Sequence, residues 1–278
     1  MSAPDRETVV AGAAAPASAA NPNWTAFRTI VRREVTRIVR IWGQTLVPPA
    51  ITMTLYFLIF GKLIGGKIGG MSVEGVTLSY MDFIVPGLVM MSVIMNAYGN
   101  ISSSFFGAKF GRHIEELLVA PLPNWVILGG YVSGAVLRGF MVGAIVLMVA
   151  MFFTEVRVHD WLATISTVFL GAVIFSLAGF VNAVYAKKFD DIAIIPTFIL
   201  TPLTYLGGVF YSASLLPPWA EAATHANPIF YMVNGFRYGL LGVSDVPLWT
   251  AYAVMLGFVV ALTWLGLWLL QRGVGLRS

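Results

Sequence analysis

The chain reads as an all-α polytopic membrane protein. It has six transmembrane helices, an N-terminal amphipathic interfacial helix, and broken re-entrant helices before the last span. Three features carry this reading. Of 278 residues, 58% are hydrophobic and only 11% charged, where soluble domains hold roughly 25% charged residues. The apolar residues run continuously, in stretches near the roughly 20 residues that cross the hydrocarbon core, and do not alternate as barrel strands do. The Lys and Arg residues gather between those stretches. With the N-terminus in the cytoplasm, twelve fall inside, four outside (Lys62, Lys67, Arg157, Arg237), and Arg138 lies within a span. That asymmetry follows the positive-inside rule and places both termini in the cytoplasm.

Residues 1–23, rich in Ala, Pro and Ser, form a disordered tail without the charged start and apolar core of a signal peptide. The membrane domain occupies 24–278. In 24–43, Trp24, Phe27, Val31, Val35, Ile38 and Trp42 recur at three- to four-residue steps, with Arg28, Arg32, Arg33, Arg37 and Arg40 between them. This is an amphipathic helix suited to anionic lipid headgroups. The first span is Gln44–Gly61, with Pro48 and Pro49 near its start. The Gly-rich stretch GKLIGGKIGGMSVEG nearly matches a phosphate-binding loop, but Ile68 stands where the metal-binding hydroxyl belongs and no strand precedes it. It is expected to be a flexible loop.

The second span, Tyr80–Phe106, carries Asp82 at one end, Met90, Met91 and Met95 in its middle, and then Asn96, Asn100 and Ser102–Ser104. Such polar groups face protein or water, and interhelical hydrogen bonding is the ordinary use for them. The third span, Trp125–Phe153, has Gly129, Gly130, Gly134 and Gly139 for close helix approach. Its one charge, Arg138, needs a partner or a route to the boundary. Trp161–Tyr185, the fourth span, is uncharged; AKKFDD follows, then a fifth, Ile192–Tyr211, broken by Pro196 and Pro202. Residues 212–247 are interrupted by Pro217, Pro218 and Pro228 and read as extracytoplasmic re-entrant helices. Leu248–Leu270 is the sixth span.

Between the second and third spans lies an island of charge, FGAKFGRHIEELLVAPLP. Lys109, Arg112, His113, Glu115 and Glu116 fall close together, Ile114, Leu117 and Leu118 share a helical face, and Pro121 and Pro123 end the helix. A short amphipathic helix there either rests on headgroups or takes a push from a soluble partner.

Catalytic motifs are missing from the sequence. With no cysteine, disulfides and thiolate chemistry are excluded. His113, His159 and His225 are far apart, and neither metal-ligand spacing nor a nucleophile elbow occurs. The net charge of +4 flanks spans and forms no free basic domain, so nucleic-acid binding is not expected. Ionisable groups inside the spans are too few for an ion-coupled transporter. A membrane-embedded lipid-modifying enzyme would need convergent polar groups at one depth, and a passive channel would have no use for the charged island. If the chain moves a substrate, the energy comes from a partner.

Six spans, the N-terminal amphipathic helix, RHIEELLVAPLP and NPIFYMVNGFRYGLLG resemble the membrane permease subunit of type-2 ABC exporters. RIWGQTLVPPAITMTLYF, FIVPGLVMMSV, SSFFGAKF and FDDIAIIPTFILTPLTYLGGVFYS are similar to the YadH-like bacterial inner-membrane permeases. The resemblance extends from about residue 24 to nearly the end; the tail 1–23 departs from it. It implies a homodimeric permease with two copies of a separate ATPase subunit, which binds ATP and magnesium; this chain itself is no enzyme and carries no cofactor. It also implies export of an amphiphilic or hydrophobic, drug- or lipid-like substrate across the bacterial inner membrane, with a glycan or lipid-linked polysaccharide as the alternative cargo. Residues 111–120 are then the coupling helix, with Arg112, Glu115, Glu116 and Leu117 as contacts to the ATPase. Arg33 and Arg37, with Arg32 and Glu34, are secondary candidates. Met91, Tyr98, Phe198 and Tyr205 are candidates for the substrate pathway, and Asn227, Pro228 and Arg237 match the family's late motif and imply an extracytoplasmic gate.

Overall fold

The computed structural model describes residues 21–68, 70–73, 76–114 and 122–275. The expected tail therefore falls outside the described residues, except for Asn21–Asn23.

Helix α1 spans Pro22–Arg40. Asn21 starts it by accepting a hydrogen bond from the Asn23 amide at 3.1 Å, and Pro22 occupies the first turn, where its missing N–H costs nothing. The expected interfacial face needs correction. Trp24 and Trp42 are indeed exposed (60% and 62%), but the residues α1 buries are Ile30, Glu34 and Ile38. Ile30 and Glu34 press on helix α5 (Asn124–Ala150). A Cβ on Gly130 would sit 2.7 Å from Ile30 Cγ2, and one on Gly134 would sit 2.5 Å from Glu34 Cβ. Small residues four apart let the two backbones meet at that distance.

Helix α2 (Trp42–Tyr56) runs through Pro48 and Pro49, widens into a π-helical stretch, Phe57–Ile64, and ends as α3, Gly65–Ile68. The glycine-rich stretch is thus not a flexible loop at its start. It continues the helix and then enters a small antiparallel hairpin, β1 (Gly70–Val73) with β2 (Val76–Ser79), in the register Gly70 opposite Ser79. The glycines make this possible by thinning the helix. A Cβ on Gly61 would overlap the Met81 side chain at 1.9 Å.

Helix α4, Tyr80–Phe110, is the axis of the molecule. In its most apolar 18-residue stretch 78% of residues are buried, against 17% for the span containing α2 and 22% for the last span. Ser79 caps it, accepting from the Asp82 amide at 3.1 Å. It packs on α5, on α6 (Trp161–Tyr185), on α10 (Pro228–Leu241) and on the α2 span. Glycines again set the closeness: a Cβ on Gly179 of α6 would lie 2.6 Å from the Tyr98 carbonyl. Ser102 Oγ donates to the Gly179 carbonyl at 3.1 Å across the same crossing.

The expected fifth span is shorter and more broken than its sequence suggested. It comprises α7 (Phe189–Ile195), a π turn (Pro196–Leu200) and α8 (Thr201–Tyr205). Proline without an N–H cannot close the i→i−4 ladder. The chain widens, and the Thr201 amide reaches back five residues to the Pro196 carbonyl. A 3₁₀ turn (Ala213–Leu215), α9 (Pro218–His225), α10, and the last span α11 (Leu248–Arg272) follow. Among the described residues, five helices are long and apolar enough to cross a membrane: Trp42–Lys67, Tyr80–Phe110, Asn124–Ala150, Trp161–Tyr185 and Leu248–Arg272. The exposed apolar side chains of the first and last of these, such as Ile51, Leu55, Val260 and Trp264, suit hydrocarbon.

Candidate functional site

The charged island begins where α4 ends. Lys109 turns inward: its Nζ donates to the carbonyls of Val184 and Ala186 at 2.6 and 2.8 Å, a cation on the negative end of α6. Phe106 and Phe110 stack edge-on against Phe189 at the start of α7, with ring centroids 4.9 and 5.1 Å apart. Arg112 is exposed and holds a left-handed φ of 59°, which marks a sharp break in direction. Ile114 is buried beside Phe106 and Val126. Glu115, Glu116 and Leu117, and with them most of the expected helix 111–120, lie outside the described residues.

At AKKFDD, the Lys187 and Lys188 amides donate to Asp191 Oδ2 at 2.8 and 3.0 Å. Those two bonds hold the Asp191 carboxyl below the usual carboxylate range.

A second polar centre lies inside the bundle, where α1, α4 and α5 meet. Glu34 is 1% exposed and accepts from Arg37 Nη2 at 2.9 Å and from Ser104 Oγ at 2.7 Å. Arg37 also donates to Asn100 Oδ1 at 2.8 Å. Arg33 hydrogen-bonds the Tyr131 hydroxyl and lies 5.3 Å from that ring's centroid. Arg138 donates to Asn96 Oδ1 at 3.3 Å and Asn100 Oδ1 at 3.5 Å, so it is held by amides on the facing helix. The α1 arginines put forward as ATPase contacts are therefore partly engaged within the protein. The sequence put Glu34 forward only as a secondary ATPase contact and missed its burial, because a carboxylate on a buried face breaks the apolar pattern; its place four residues from both Ile30 and Ile38 is the signal for it.

The four substrate-pathway candidates do not converge. Met91 and Tyr98 are buried in α4, while Phe198 is 73% exposed and Tyr205 38% exposed. Tyr205 shares a 2.7 Å hydrogen bond with Tyr56 on the α2 span, joining two otherwise exposed elements. Met91 alone of the four borders a cavity of about 330 Å³ between α2, α4 and α5, together with Arg138 and Asn96.

The late-motif residues form a third centre. Asn227 caps α10, accepting from the Ile229 amide at 3.0 Å and donating to the Leu203 carbonyl at 2.6 Å, and Pro228 fills the first turn. Arg237 is fully buried. Its Nη2 donates to the Gly208 carbonyl at 2.6 Å, its Nη1 to Asn234 Oδ1 at 3.2 Å and to Asp245 Oδ2 at 3.4 Å, and its guanidinium lies 4.0 Å from the Phe83 ring centroid. Asn234 accepts from the Asp245 amide at 2.9 Å, and Ser212 donates to the Asp245 carboxylate. Asp245 and Asn234 went unnoticed in the sequence, although Asn234 stands one helical turn before Arg237 on α10; Asp245 lies beyond the end of that helix, where no helical period reaches it.

A sequence model of the family described as ABC-2 type transporter matches residues 25–241. The chain belongs to the ABC-2 type transporter family. Over 255 residues this ABC-2 chain is 59% identical to the inner membrane transport permease YadH of Escherichia coli K12, across 92% of this chain and 98% of that protein. It is 24% identical over 257 residues to nodulation protein J of Sinorhizobium fredii, across 91% of this chain and 95% of that one. The resemblance read from RHIEELLVAPLP and NPIFYMVNGFRYGLLG holds over nearly the full length. The chain is an ABC transporter permease, multi-pass in the inner membrane, and an ABC-2 permease implies an ATPase partner. The matched region covers residues 25–241, so all of α1 past its first three residues, the charged island, Arg138 and Arg237 fall inside it.

Proposed function

We propose that this permease works as a homodimer with two copies of a separate ATPase subunit and exports an amphiphilic, drug- or lipid-like molecule. ATP and magnesium sit in the partner. Residues 111–120 form the coupling helix, Arg112, Glu115, Glu116 and Leu117 contact the ATPase, and exposed faces of α1 supply further contacts. Both termini are cytoplasmic, the segment 192–211 serves as the fifth of six spans, and 212–247 dips into the outer leaflet as a gate. ATP closes the partner subunits and rocks the coupling helices as rigid bodies. The first and fifth spans then part across the dimer axis and release the substrate outward.

The observation that supports this is the position of α4. The helix leading directly into the charged island is also the most buried span and packs on α5, α6 and α10. Its cytoplasmic end is bonded to the end of α6 and stacked on the start of α7. A force on residues 111–120 enters the centre of the bundle, whereas a loop helix on headgroups would push on nothing. In proteoliposomes holding permease and ATPase, the double change Glu115→Ala, Glu116→Ala is expected to abolish permease-dependent stimulation of ATP hydrolysis while leaving the permease folded. Undiminished stimulation would rule out this coupling route.

A further inference from the structure

Arg138 stands midway along α5, 14 residues from its start at Asn124, or about 21 Å along the axis at roughly 1.5 Å per residue. A charged side chain at that depth is costly to insert, so an arginine there asks for a reason. Its bonds to Asn96 and Asn100 are long, at 3.3 and 3.5 Å, and go to neutral oxygens. Among the described residues it has no carboxylate within ion-pairing distance. Glu34, the one acid of this centre, is already shared by Arg33 and Arg37 at 3.7 and 2.9 Å. Two guanidiniums thus share the one carboxylate and the third, Arg138, has none, so the local charge is left unbalanced.

Arg138 borders the cavity of about 330 Å³ between α2, α4 and α5, which is within the size range of small-molecule sites. Gln44, Thr45 and Asn96 add polar groups to its wall, and Met53, Met91 and Met95 add soft apolar surface. The polar network there is incomplete: Arg138 Nε and Thr45 Oγ1 are buried without a hydrogen-bond partner among the described residues. Exposed Gln44 and Thr52 stand at the outer side of the cavity, on α2.

We propose that this cavity binds the anionic headgroup of an amphiphile, its phosphate or carboxylate paired with Arg138 and its apolar part lying along Met53, Met91 and Met95. The anion supplies the missing charge, and the guanidinium is suited to bind it through two parallel N–H donors. An amphiphile fits better than a free ion, because one wall is apolar and the site lies at membrane depth. This rests on the transport reading only for its purpose. Occupancy requires neither ATP nor the partner.

The test is native mass spectrometry of the purified full-length chain in a neutral maltoside detergent, titrated with dodecyl phosphate. Retained adduct is expected on the unmodified chain, with affinity at least tenfold weaker in Arg138→Gln and again in Thr52→Trp, which crowds the cavity while keeping every charge. Arg272→Gln, a cation at the far end of α11, should bind like the unmodified chain. Equal retention of dodecyltrimethylammonium would overturn the proposal, as would unchanged affinity in both Arg138→Gln and Thr52→Trp. Displacement by inorganic phosphate at the same concentration would make the site one for a free anion and would overturn it too. The Glu115→Ala, Glu116→Ala chain is expected to retain dodecyl phosphate at full affinity. Lost ATPase stimulation with retained binding therefore separates the coupling route from the site.

Discussion

The Arg237–Asp245 pair tests the late motif most sharply. Arg237 has no solvent contact, and the Asp245 side chain is 6% exposed. Asp245→Asn keeps the shape and leaves a buried guanidinium with neutral partners only. Breaking a buried pair from one side costs about 3–5 kcal/mol. Arg237→Met strands the Asp245 carboxylate and also removes the 2.6 Å donor to the Gly208 carbonyl, an unsatisfied buried acceptor worth about 1–3 kcal/mol more. At roughly 2–4 °C per kcal/mol for chains of 150–250 residues, Asp245→Asn should lower the melting temperature by about 6–20 °C. Arg237→Met should fall further, and the double variant Arg237→Met, Asp245→Asn should lose clearly less than the two single losses added. Thermal unfolding of the purified protein in detergent, followed by tryptophan fluorescence, measures all three. Single variants melting within about 2 °C of the unmodified chain, or a strictly additive double variant, would refute the claim that these charges are held against each other in a dry site.

Two further outcomes follow from the same structure. Gly134→Leu pushes against Glu34 Cβ, whose approach to the position of a Cβ is only 2.5 Å, so α1 must move. Amide hydrogen exchange should rise across residues 24–40 and stability should fall by about 1–3 kcal/mol, while Gly257→Leu, whose Cβ meets nothing within 4 Å, should stay within about 0.5 kcal/mol. At the other boundary, Asp191→Asn should speed exchange of the Lys187 and Lys188 amides at neutral pH. Because the folded carboxyl titrates below its ordinary value, its contribution is present above the unfolded pKa. In the unmodified chain it is lost only as pH falls through the lowered one. Loss of amide protection already near neutrality would contradict that sign.

The spans were legible because the bilayer imposes a length and a composition on any helix that crosses it. Trp161–Tyr185 was bounded correctly from its apolar run, and Asn124–Ala150 and Tyr80–Phe110 within a few residues. Proline positions likewise announced that the stretch after Asp191 would be broken. The glycine-rich stretch misled because glycine signals a loop in water, yet here Gly61 serves a close contact with Met81 inside a continuing helix.

The sequence by itself determined the membrane class, the charge asymmetry, the placement of the island between two spans, and the family through its motifs. Only the tertiary structure decided which polar residues meet. Asn100 and Ser104 of α4 bond Arg37 and Glu34 of α1 across 63 and 70 residues of chain, and no local period relates the two helices. Asp245 finds Arg237 because α10 ends at the left-handed Gly242 and turns the chain back. A span is specified by what each residue does in lipid, one position at a time, whereas a buried ion pair exists only once two helices have packed and excluded every other solvent for its charges.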